Sequence, residues 1–166
     1  RPFERIPFTA PPDRKRGFLL GLKEGGVGWN PNLEVNADFT VRGAQRAAAS
    51  LLDRDDRPTA VFAESDEMAF GVIAAARERG LRVPEDLSVV GVDDHEVSES
   101  VGLTTVAQPV RTLGELAALQ LVAMISNQLD AHQIARVVVP TILVVRKSTA
   151  APDGKPPPTR RARAGI

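Results

Sequence analysis

The chain is 166 residues long and 43% apolar, and its 21 basic and 21 acidic side chains leave no net charge. That is enough for one domain with its own core, and the absence of cysteine excludes a disulfide scaffold, a thiol nucleophile or a thiolate metal centre. Neutrality disfavours a free-standing nucleic-acid binder, the two histidines (His95 and His132) are too few for a histidine metal site or triad, and no apolar run reaches the roughly 18 residues of a membrane span.

Taken in chain order, residues 5–9 form a weak first strand interrupted by proline, and RPFERIPF lacks the basic-then-apolar order of a secretory signal. GFLLGLKEG (17–25) predicts a helix with Phe18, Leu19 and Leu22 on one face and a glycine pair as its stop. LEVNA (33–37) reads as a short strand, and 44–52 as an alanine-rich helix ended by the turn DRDDRP. TAVFA (59–63) reads as a buried strand. The segment 66–79 is an amphipathic helix through Met68, Ala69, Val72, Ile73 and Ala76, with Gly80 at its C-terminal cap. LSVVGV (87–92) is a second strong strand and 104–107 a shorter one. A long helix is expected over 113–129, and a β-rich stretch containing Pro140 over 137–145. In the last sixteen residues Lys155, Arg160, Arg161 and Arg163 face Asp153 alone, so this proline-rich tail carries +3 and the body −3. The tail is expected to be disordered.

Strand–helix alternation of this kind predicts an α/β fold, an open and mostly parallel sheet with helices on both faces. The continuous apolar runs TAVFA and LSVVGV suit strands covered on both sides. In such sheets ligands bind at the carboxyl ends of the strands. Residues 11–14 follow the first candidate strand, Asp38 and Phe39 the second, and Glu64, Ser65 and Asp66 the third. Asp93, Asp94 and His95 follow LSVVGV, and Gln108 follows TTVA. Together they offer a cation, a flat aromatic face, carboxylates and an amide, a set suited to a small polar ligand. Each has a plainer alternative: Ser65 or Asp66 as a helix N-cap, Arg14 as an exposed helix start, Phe39 as core. The Asp pair alone is a weak metal signal. No nucleophile elbow, P-loop or dinucleotide fingerprint is present, and GGVG (25–28) follows a helix rather than a strand, so an enzyme is not expected.

The strings RPTAVFAESDEMAFGVIAAARERGLRVPEDLSVVGVDD (57–94), LTTVAQPVRTLGELA (103–117) and PTILVVRKSTAAP (140–152) closely resemble the ligand-binding region of lac repressor/galactose repressor-type bacterial transcription regulators. Residues 14–50 fit more loosely, through RKRGF and DFTVRGAQRA, and 1–12 fit poorly. The resemblance implies one lobe of a type I periplasmic-binding-protein fold. In that family two lobes hold a sugar or nucleobase-like effector between them, the protein is a homodimer or higher oligomer, and a separate N-terminal domain contacts DNA. It also implies a cytoplasmic protein with no cofactor, no bound metal and no membrane contact.

Carried over by position, the family's effector contacts fall on Arg14 (clamp), Phe39 (stacking face), Ser65, Asp93 (hydrogen-bond acceptor) and Gln108 (polar residue at the crossover). Ser65 occupies a variable position. The chain then divides into the main part of the C-terminal lobe (1–109), a crossover helix and connection belonging to an absent lobe (110–135), a return (136–152) and the tail (153–166). The chain is thus expected to be a C-terminal fragment. The rival is a sugar-binding protein of an ABC transporter with the same fold; VPEDLSVVGVDD, TTVAQPV and RKSTAAP are more typical of the regulators.

Overall fold

The first helix, α1 (Ala10–Glu24), begins well before the expected position 17. Pro11 and Pro12 lie in its first turn, where backbone N–H groups have no helical partner and a missing one costs nothing. Asp13 adds a favourable charge at that end. Residues 11–14, expected to follow a first strand, therefore form the start of a helix, the alternative read for Arg14. The computed structural model describes residues 10–126 and 137–151; the strand expected at 5–9, the end of the helix expected at 113–129 and the tail lie outside it.

LEVNA is not a strand. Pro31–Leu33 forms a 3-10 turn capped by Asn30, whose side chain accepts the N–H of Asn32, and Asn36 Oδ1 accepts the N–H of Asp38 at 2.9 Å. Inside the segment the N–H groups of Leu33 and Glu34 go to the carbonyls of Asn30 and Pro31, and the two asparagine turns bracket it at Asn32 and Asp38. Helix α2 (Val41–Leu52) starts at Thr40, whose hydroxyl accepts the N–H of Gly43.

The remaining elements are β1 (Ala60–Phe62), α3 (Asp66–Glu78), β2 (Ser88–Asp93), α4 (Glu96–Ser100), β3 (Thr104–Ala107), α5 (Val110–Ile125) and β4 (Ile142–Val144). The sheet runs β1-β2-β3-β4, the first three strands parallel and β4 antiparallel to β3. Only three residues of the β-rich stretch join it, beyond Pro140, which cannot donate to a ladder.

The core lies between the sheet and the α2–α3 pair. Ala48, Leu52, Ala69, Val72, Ala75 and Ala76 pack with Leu87, Val89 and Leu103. Their small size lets the two helices approach closely: a Cβ at Gly71 would stand 2.2 Å from the carbonyl oxygen of Val41. Val61 packs toward this core, so alternation along β1 points Phe62 to the other face, where it stacks on Phe18 of α1 at 5.1 Å. Helices thus cover both faces. Helix α5, like α1, has no buried residue, but it leaves a row of apolar side chains, Leu119, Val122 and Ile125, exposed along it.

Candidate functional site

At the carboxyl end of β2 the chain turns off the sheet through two residues with left-handed backbone, Asp93 (φ 118°) and Asp94 (φ 59°). Such conformations are costly for non-glycine residues and persist only where the surroundings fix them. Asp66, wholly buried at the start of α3, supplies the fixing. Its Oδ2 accepts the N–H of His95 at 2.8 Å and the hydroxyl of Ser98 at 2.6 Å, and its Oδ1 accepts the hydroxyl of Thr105 at 2.6 Å. Gly91 makes room for it, since a Cβ there would lie 2.2 Å from Asp66 Oδ1. Arg146 braces the turn from the other side. Its Nη1 approaches Asp94 Oδ1 at 2.8 Å, a charge pairing in which that buried oxygen makes no aligned hydrogen bond, and also donates to the carbonyl of Leu103.

Three of the expected site residues meet at this turn. Arg14 Nη2 lies 3.1 Å from Asp93 Oδ1, and Gln108 Nε2 donates to the same oxygen. Arg14 Nη1 donates to the main-chain carbonyl of Glu64, tying the end of β1 to the end of β2. Among the described residues Asp93 Oδ2 accepts no hydrogen bond, and the side chain is partly exposed. Burial pushes the Asp93 carboxyl above its ordinary range, against the opposing pull of the Gln108 hydrogen bond and the Arg14 charge. Burial likewise pushes Glu64 up, opposed by Arg14.

Phe39 is not part of this knot. It lines a groove of about 1310 Å³ that runs along β1 with Phe18, Trp29, Phe62, Glu64 and Met68 on its walls. Both Asp38 and Phe39 have φ of 52°, which turns the chain into α2. Ser65 is buried, and its hydroxyl accepts the N–H of Met68 as the N-cap of α3. Asp66 follows the cap as the first residue of the helix. His95 caps α4 in the same way, its Nδ1 accepting the N–H of Val97. Among the described residues no group of three His, Cys, Asp or Glu side chains could hold a metal.

A protein-family signature, the periplasmic binding protein-like domain, matches residues 7–149. The chain belongs to that family. Its relatives are LacI-type regulators. The chain is 38% identical over 144 residues to the HTH-type transcriptional regulator DegA of Bacillus subtilis, covering 86% of this chain and 42% of DegA. It is 41% identical over 139 residues to the HTH-type transcriptional repressor PurR of Erwinia tasmaniensis, covering 82% and 40%. Among solved structures, the transcriptional regulator CelR–cellobiose complex is 36% identical with a TM-score of 0.74, over 81% of this chain and 41% of that one. A LacI family regulator from Enterococcus faecium with bound ribose is 32% identical, also at 0.74, over 82% and 51%. The chain therefore spans less than half the length of these curated relatives.

For this periplasmic binding protein-like domain, sequence reasoning under-weighted two residues and missed a third. Glu64, which sequence reasoning names only as a strand-end residue, lines the groove, whereas Ser65 beside it is buried as the N-cap of α3. Asp66 reads as a cap until its three distant partners are known. Arg146 carries no local signal, because Asp94 lies far from it in sequence.

Proposed function

We propose that this chain is the effector-binding lobe of a bacterial transcription regulator, taking a sugar or nucleobase-like molecule at the Arg14–Asp93–Gln108 cluster. The supporting observation is that cluster: a carboxylate held by a guanidinium and an amide through one oxygen, with its second oxygen open to a ligand donor. The Phe39-lined groove begins beside it, at Glu64. The regulator names of the relatives and the sugars in two solved ones support the same class, and a transporter component or an enzyme has no such support.

In the whole protein, DNA contact belongs to a separate N-terminal domain, and the protein acts in the cytoplasm as a homodimer or larger assembly. No helix among the described residues is long and apolar enough to cross a membrane. Helix α5 is the crossover into a second lobe, which accounts for its exposed Leu119 and Ile125. With one lobe alone, the affinity is weak. The test is an amide NMR titration of the chain with cellobiose, ribose and adenine. Millimolar binding that moves Asp94 and the Gln108 side chain, and that is lost in Arg14→Ala and Asp93→Asn, supports the reading. Absence of any response, or full binding by both variants, refutes it.

A further inference from the structure

We propose that Glu64 is a selectivity residue of this site, a second carboxylate beside Asp93 that favours neutral, hydroxyl-rich ligands over anionic ones. The proposal rests on the effector-binding reading and adds the charge class of the ligand.

Glu64 lies just past β1 as Asp93 ends β2, and the two strands are parallel neighbours with Phe62 opposite Val90. Their carboxyl ends therefore lie side by side, about 5 Å apart. Arg14 is the cation nearest both, but its guanidinium is already committed to Asp93 Oδ1 and to the main-chain oxygen of Glu64. Lys15, the next cation along α1, is held by both oxygens of Glu34 at 2.6 and 2.8 Å. Each cation thus has its own carboxylate. The Glu64 side chain, half-buried on the groove wall, makes no hydrogen bond or ion pair among the described residues.

A carboxylate with no ion pair of its own in such a place acts in two ways. Its lone pairs accept hydroxyl or N–H donors, and charge-assisted bonds of that kind are stronger than neutral ones. Its field also opposes a phosphate or carboxylate brought into a partly desolvated site. Asp93 Oδ2 and the Glu64 carboxylate together present acceptors on adjacent strand ends, a pattern that matches a ligand with several donors and no negative charge.

The test compares the wild-type chain with Glu64→Gln and Glu64→Asp by amide NMR titration near neutral pH. The probes are ribose and glucose against ribose phosphate and glucuronate, with adenine as a nucleobase control. In the wild type, neutral sugars are expected to bind about tenfold or more tightly than their anionic counterparts. Glu64→Gln should weaken the neutral sugars and bring that ratio close to one. Glu64→Asp, which keeps the charge, should retain the ratio. A ratio unchanged in Glu64→Gln, or a wild type that prefers the anions, overturns the proposal and leaves the effector-binding reading standing. A response to adenine alone does the same. Silence toward every probe overturns both.

Discussion

Replacing Asp66 with alanine tests what holds the site in shape. The substitution removes one acceptor from the His95 N–H and from the hydroxyls of Ser98 and Thr105, each within 2.8 Å. Ser98 and Thr105 are wholly buried, so water cannot replace the lost bonds. A buried donor left unpaired costs about 1–3 kcal/mol. The His95 N–H is fixed in the backbone and carries the full penalty, whereas the two hydroxyls can rotate toward other acceptors. The total is then about 3–5 kcal/mol, a large share of the roughly 5–15 kcal/mol that holds a domain together. In urea denaturation this appears as a lower midpoint at an unchanged slope, and in thermal melts as a drop of about 10–20 °C. Ser65→Ala, which removes only the N-cap bond to Met68, supplies the scale at about 1 kcal/mol. If Asp66→Ala costs no more than Ser65→Ala, the three bonds do not hold the turn and the reasoning fails.

Gly71→Ala places a Cβ 2.2 Å from the Val41 carbonyl, a backbone atom that cannot swing aside, so α2 and α3 must separate at a cost of about 2 kcal/mol or more; a urea midpoint within error of wild type would refute this. Glu64, whose folded pKa is raised above its ordinary 4.5, contributes stability that is complete below that value and is lost as pH rises through the folded value. The stability of the wild type relative to Glu64→Gln should therefore fall as the pH rises through and above 4.5, and a difference that stays flat over the carboxylate range would refute it. The exposed Leu119 and Ile125 on α5 should drive self-association at high micromolar concentration, read by sedimentation and reversed by Leu119→Lys with Ile125→Lys. A clean wild-type monomer at that concentration would count against it.

The elements legible in the sequence were those whose pattern is set by burial. Helix α3 shows its apolar face at helical spacing, and β1 and β2 are continuous apolar runs because both faces are covered. The miss at LEVNA came from competition: the 3-10 turn takes the N–H groups of Leu33 and Glu34, asparagine turns close on either side, and hydrophobic alternation does not register such bonds. The start of α1 was hidden because two prolines look like a break, although the first turn tolerates them. In the site, Arg14, Asp93 and Gln108 were legible because strand ends of a parallel sheet converge on one edge. Which of Glu64 and Ser65 faces that edge was not, because adjacent residues differ only in side-chain direction. The part played by Asp66 depends on partners 29, 32 and 39 residues away, and nothing local announces them.

The two walls of the site are held very differently. The Asp93–Asp94 wall is anchored in the core through Asp66 and braced by Arg146. The facing wall, α1, has no buried residue and meets the sheet through Phe18 on Phe62 and through the Arg14 contacts. Arg14 is therefore a fastener of the helix as well as a member of the candidate site. A ligand that bonds to Asp93 through the open Oδ2 leaves that fastening in place and adds to it. One that displaces Arg14 from Oδ1 must replace a charge-assisted bond and also give up a polar tie between α1 and the sheet. If the proposed effector site is right, ligand donors are directed to Oδ2, and this preference follows from how lightly α1 is held rather than from the shape of the groove.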